Sequence, residues 1–173
     1  MRKRNAVIFS AIIMILVMAT AAFAEKKSLK IYTDATLKFT IKHPSDWKVQ
    51  KEEEKKDRVY FVSPDANTVV AVNVMNPVKK MSAKEFLSAM EIELKTKNIL
   101  DEKDRPYDEE ACEALNVDDG YCGTYIMKQD GKEVYSIMNV FTKESKIYFL
   151  MISTSSQDEL DKFEDILANF RAL

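Results

Sequence analysis

The chain has 173 residues, of which 46% are hydrophobic and 31% charged, with 26 basic and 28 acidic side chains. With only 3 glycines and 4 prolines, and no repeat or low-complexity tract, it reads as one domain without a linker. A slightly acidic chain with no basic run along its sequence is a poor candidate for nucleic acid or anionic membranes.

Met1-Arg2-Lys3-Arg4 is a short cationic start. Ala6 to Ala24 follows as 19 uncharged residues, bulkiest from Val7 to Met18, closing on Ala22-Phe23-Ala24 before Glu25. Charge, apolar run and a small-x-small site in that order form a secretory signal peptide, residues 1–24, cleaved after Ala24. The rival reading is an uncleaved anchor, since ~20 apolar residues span a bilayer. The alanine-rich end and the polar residues after it favour cleavage. The first cysteine is Cys112 and Arg2 and Arg4 are not adjacent, which leaves neither a lipid-modified N-terminal cysteine nor a twin-arginine route. Cleavage removes three basic side chains and no acid, so 23 bases face 28 acids in a 149-residue mature chain, a formal charge of −5. The expected form is an exported single domain, residues 25–173, periplasmic or extracellular, with no stable membrane insertion.

Leu37, Phe39 and Ile41 alternate with Lys38, Thr40 and Lys42, the pattern of a one-faced strand near a sheet edge. Lys51 to Arg58 is a mixed charge run and predicts a solvated turn. Val69 to Val74, Val134 to Phe141 and Ile147 to Ile152 are apolar at both alternating sets of positions, so they need cover on both faces. Asp130-Gly131 and Glu144-Ser145 predict hairpins. Ser82 with Glu85 opens a helix to about Asn98, with Phe86, Leu87, Met90 and Leu94 on one stripe. Ser156 with Glu159 opens a second, with Leu160, Phe163, Ile166, Leu167 and Phe170 at helical spacing. These elements predict an α+β domain: a central antiparallel sheet flanked by helices on both faces, an α/β/α sandwich. Trp47, Phe86, Phe149 and Phe163 are its expected core aromatics.

Two cysteines in an exported chain raise the question of a disulfide. If Asp118-Asp119 is the turn with a bulge at Gly120, Cys112 faces a residue near Tyr125 and no bridge forms. If the pairing centres on Val117, Cys112 lies opposite Cys122. Both registers stay open at this level.

The candidate chemistry is thin. His43 is the single histidine, and Pro44 after it biases it toward an extended or turn conformation. A Ser-His-Asp set from Ser45 or Ser63 with Asp46 lacks triad spacing, and there is no G-x-S-x-G elbow. Pairing His43 with Cys112 or Cys122 has no support either. Asp101 to Glu110 holds the densest carboxylates, but without the glycine turn of a calcium loop it reads as a solvated connector. The chain lacks phosphate-loop, HExxH and CxxC motifs, so the expectation is no catalytic, cofactor or metal residue and no cofactor.

One order of motifs is more specific. Phe39-Thr40-Ile41-Lys42-His43-Pro44-Ser45-Asp46-Trp47 is similar to the opening strand and Pro-x-x-Trp turn of the PsbP-like family. The match continues through Val59-Tyr60-Phe61-Val62-Ser63-Pro64, the helix from Ser82, and Val117-Asp118-Asp119-Gly120-Tyr121. It closes on the strand after Gly131, Lys146-Ile147-Tyr148-Phe149-Leu150, and Leu167-Ala168-Asn169-Phe170. The resemblance implies a central antiparallel sheet with helices on both faces. The best-known relatives are extrinsic subunits on the lumenal side of photosystem II that help retain calcium and chloride; bacterial relatives are exported domains of unassigned role. The bacterial-type export signal and the short stretch before the first strand argue against photosystem binding. The expectation is therefore a non-enzymatic accessory or protein-interaction domain of the cell envelope, with another envelope protein as partner. The alternative is a periplasmic small-ligand or cation-binding protein, or an envelope enzyme whose site is assembled from distant residues.

Overall fold

The computed structural model describes residues 28–51, 54–94, 99–129, 131–162, 166 and 169–173. The signal-peptide reading lies outside these residues. In chain order the elements are β1 (Leu29–Asp34), β2 (Phe39–Pro44), β3 (Lys48–Gln50), β4 (Arg58–Val62), β5 (Thr68–Met75), α1 (Ala83–Leu94) and β6 (Ile99–Pro106). After these come α2 (Glu109–Leu115), β7 (Asp119–Gln129), β8 (Lys132–Lys143), β9 (Lys146–Thr154), α3 (Gln157–Lys162) and β10 (Arg171–Ala172). No helix of the described residues is long and apolar enough to cross a membrane.

Seven strands make the main sheet, in the order β3-β4-β5-β9-β8-β7-β6, and every pair is antiparallel. The doubly apolar strands sit at its centre, as their pattern requires: Val70, Val72, Val140, Leu150 and Ile152 are fully buried. The two predicted hairpins are present. Gln129 pairs with Lys132 across a two-residue turn in which Gly131 has φ 78°, a conformation glycine adopts without a Cβ penalty. Lys143 pairs with Lys146 across the other, where Glu144 has φ 56°.

The helix predicted from Ser82 forms through its capping box. Ser82 Oγ accepts from the Glu85 N–H at 3.2 Å, while the Ser82 N–H donates to Glu85 Oε2 at 2.7 Å. Helix α1 lays Ala83, Leu87, Phe86 and Met90 on Tyr125, Met138, Val140, Ile147 and Phe149. This is one face of the main sheet.

The other face departs from the expected sandwich. It is covered chiefly by a second, three-stranded sheet of order β1-β2-β10, together with Leu115 of α2 and Leu160 of α3. Because Leu37, Phe39 and Ile41 fall on one side of the chain, that side lies down on Val59, Phe61, Val72 and Leu150 as a strand layer would. Among the described residues the protein is mixed α+β and mostly sheet, with α1 on one face of the main sheet and the second sheet, α2 and α3 on the other. Strand β2, expected near an edge, instead runs between β1 and β10.

Among the expected core aromatics, Trp47 and Phe149 are buried and Phe86 is half-buried. Phe163 and Leu167 lie outside the described residues. Phe170 is fully buried but sits beyond α3, leading into β10, and stacks between Phe39 and Phe141.

Candidate functional site

His43 is the first residue to place. Its backbone is in β2, and its ring is 5% exposed against Phe61, with centroids 5.0 Å apart. Nδ1 lies 2.8 Å from the Pro44 carbonyl oxygen. The Trp47 N–H closes the Pro-x-x-Trp turn onto that same carbonyl at 3.1 Å. The imidazole is therefore part of the turn that seats Trp47.

The serines once set beside it face elsewhere. Ser45 Oγ lies 2.6 Å from Ser28 Oγ, tying the start of β1 to the end of β2. Ser63 Oγ donates to Asp65 Oδ1 at 2.6 Å and accepts from the Thr68 N–H at 3.0 Å, closing the β4–β5 turn. These contacts organise turns and do not assemble a nucleophile, base and orienting acid.

Neither hairpin register foreseen for the cysteines occurs. Cys112 is in α2 and Cys122 in β7, opposite Asn139 on one side and Arg105 on the other, with no disulfide between them. The helix forms because Asp108 is its N-cap, accepting from the Ala111 N–H at 2.8 Å, and Asn116 ends it in a left-handed conformation. Burial, then the carboxylates of Asp119 and Asp108, push the Cys112 thiol's pKa up, which disfavours the nucleophilic thiolate.

The acidic stretch is a second correction. Asp101 to Pro106 is no connector: it belongs to β6, the edge strand paired with β7, with a bulge between Ile99 and Asp101. Pairing with β7 satisfies one side of the backbone, and Pro106, which has no N–H to donate, ends the strand. Among the described residues, no group of three or more His, Cys, Asp or Glu side chains is placed to hold a metal ion.

Among the described residues an open cleft of about 620 Å³ lies beside α2. Tyr107, Cys112 and Asn116 line it with four carboxylates, Glu109, Glu113, Asp118 and Asp119. Two of those carboxylates are held by backbone donors. Asp119 Oδ2 accepts from the Ala83 N–H at 2.8 Å, at the first residue of α1, and Asp118 Oδ2 from the Glu144 N–H at 2.6 Å. Tyr107 donates to Asn139 Oδ1 at 2.6 Å, which orients the cleft's one aromatic wall.

Sequence reasoning missed two buried carboxylates among the described residues. Asp34 is 5% exposed and accepts from the N–H groups of Thr36 and Leu37, the Lys51 ammonium and the Tyr32 hydroxyl. Burial alone would raise its pKa, but Lys51 and the Leu37 N–H outweigh burial and hold the carboxyl below its ordinary value. Glu91 is 8% exposed and accepts from the fully buried Tyr125 hydroxyl at 2.6 Å. The Asp34-x-x-Leu37 spacing, an Asx-turn pattern, was the available signal for the first. The second had none.

The family model for PsbP matches residues 27–172. The chain belongs to the PsbP family. No curated protein matches it. Among solved structures it is similar to cyanobacterial PsbP (CyanoP) from Synechocystis sp. PCC 6803. The TM-score is 0.60 and identity 14%, over 88% of this chain and 96% of that one. The Ran-binding protein Mog1p of Saccharomyces cerevisiae shares the fold at TM-score 0.55 and 8% identity, over 84% and 96% of the two chains. LpqN of Mycobacterium tuberculosis, described as involved in cell envelope biogenesis, does so at 0.54 and 11%, over 86% of each. At these identities the likeness concerns the fold alone.

Proposed function

We propose that this PsbP-family chain is an exported, non-enzymatic accessory domain that acts by binding another protein of the cell envelope. The observation that carries this reading is the state of its most chemically capable side chain. His43 is buried, bonded to the Pro44 carbonyl and packed on Phe61, as a turn-forming residue is. The serines near it in sequence and the buried Asp34 are likewise engaged in turns. By analogy of fold, the Ran-binding protein Mog1p supports a protein partner, and LpqN, described as involved in cell envelope biogenesis, supports a place in the envelope.

The test is affinity purification of the tagged full chain from the membrane fraction of its native source, followed by reconstitution from purified components. A protein recovered at fixed stoichiometry that rebinds the purified domain is the expected result. A chain that runs alone after cross-linking, and turns over a substrate or binds a metabolite by calorimetry, would overturn the reading.

The cleft beside α2 favours one second reading, a site for a small cationic ligand. Glu109, Glu113, Asp118 and Asp119 supply the charge. The backbone bonds to Asp118 and Asp119 weigh against it, because they give two of the four carboxylates a structural role.

A further inference from the structure

We propose that the outer face of the β1-β2-β10 layer rests on the surface of an anionic lipid bilayer. Of five large apolar side chains exposed among the described residues, three are on this layer: Leu29 at 53%, Ile31 at 68% and Leu173 at 52%. Their common orientation follows from register. Tyr32, Asp34, Phe39, Ile41 and Ala172 point inward onto the main sheet, so the alternate positions Leu29, Ile31 and Arg171 point out. The Leu173 N–H donates to the Lys38 carbonyl at 2.9 Å and extends the pairing by one residue.

The charged side chains at the outward positions of these strands are all cationic. Ile31 pairs with Lys42, Arg171 pairs with Thr40, and Lys38 is exposed beside Leu173. The outward positions left between them on β1 and β2, Thr33 and Thr40, are uncharged. The outward positions thus carry three cationic and three apolar side chains and no Asp or Glu, on a protein whose mature form is net acidic. Leu29 and Ile31 lie toward the Pro44 end of β2 and Leu173 at its Lys38 end. Glu25, Lys26, Lys27 and Ser28 precede β1 in sequence. An apolar strip flanked by lysine and arginine suits the headgroup boundary of an anionic leaflet, where short side chains enter the interface and cations stay at the phosphates. Vesicle binding and recovery of a protein partner are separate measurements, so the two readings stand or fall separately. The choice of a membrane as occupant rests on the cationic and apolar side chains of this face and on the export reading, which delivers the mature domain to a compartment bounded by bilayers.

The test is sedimentation of the protein, recovered from cells expressing the full chain, with phosphatidylcholine vesicles with or without phosphatidylglycerol. We expect roughly tenfold more binding to the anionic vesicles at low salt, falling as salt screens the contact. Lys38→Glu with Lys42→Glu should abolish the preference, and Leu29→Ser with Ile31→Ser should weaken binding at an unchanged thermal midpoint. These side chains are exposed, so the charge-reversed variant tests the idea even if the serine variant misfolds. Equal binding to both vesicle types, or an unaltered preference after charge reversal, would overturn the proposal. So would self-association abolished by Ile31→Ser, which assigns the face to a second copy of the chain.

Discussion

Tyr125 folds back over Gly123, so closely that a Cβ at position 123 would overlap the Tyr125 hydroxyl oxygen. That path carries the hydroxyl to Glu91 on α1, joining helix and sheet inside the apolar layer between them. Gly123→Ala must displace the ring and break the bond. The expected loss is about 2–4 kcal/mol, combining overpacking with an unpaired buried carboxyl. Tyr125→Phe keeps the ring and removes the bond, for about 1–3 kcal/mol. Urea unfolding of both variants checks this, and a Tyr125→Phe midpoint equal to the parent's would show that Glu91 is not held by Tyr125.

Asp34 and Lys51 predict an acid sensitivity. The folded-state pKa of Asp34 is depressed, so its stabilisation is complete above the ordinary carboxylate pKa of 3.8 and is lost as pH falls through the lower folded value. Asp34→Asn should flatten stability against pH below about 4 and cost ~2 kcal/mol at neutral pH, because two backbone N–H groups lose a charged acceptor. Lys51 is 41% exposed, and Lys51→Ala should cost under ~1 kcal/mol. At the alkaline end Tyr32, pushed from 10.0 up to about 12 by burial and Asp34, contributes below pH 10 and loses that contribution between 10 and 12. Thermal midpoints across pH measure both limbs; identical acid limbs for the parent and Asp34→Asn would remove Asp34 from the account.

Trp47 is 6% exposed at the foot of the Pro44 turn and packs in the core between the two sheets. Trp47→Ala should cost ~3–5 kcal/mol by cavity formation. His43→Ala leaves a smaller gap in the same turn and should cost less. Chemical denaturation ranks the two, and an unchanged midpoint for Trp47→Ala would refute its role as the turn's anchor.

Export predicts a processed N-terminus. Sequencing of the native protein should begin at Glu25. A protein beginning at Met1 and pelleting with membranes would replace the cleaved leader with a retained anchor.

Local patterning determined a good deal of this protein. The capping box at Ser82, the Gly131 and Glu144 turns and the central strands follow from interactions within a few residues, where spacing alone decides which groups meet. So does the Pro44-Trp47 turn, and with it the family. The rest depended on contacts distant in the chain. Asp101 to Pro106 became a strand because β7 offered a hydrogen-bonding edge, and no local composition records that offer. Cys112 entered a helix because Asp108 caps it and Leu115 is drawn into the core, which set aside both hairpin registers. Counting charge along the chain argued against an anionic surface partner. The fold gathered Lys38, Lys42 and Arg171 onto one face all the same, since the closing strand β10 pairs with β2. One-dimensional spacing fixes which groups can meet over a turn; closure of the sheet decides which meet across the whole chain.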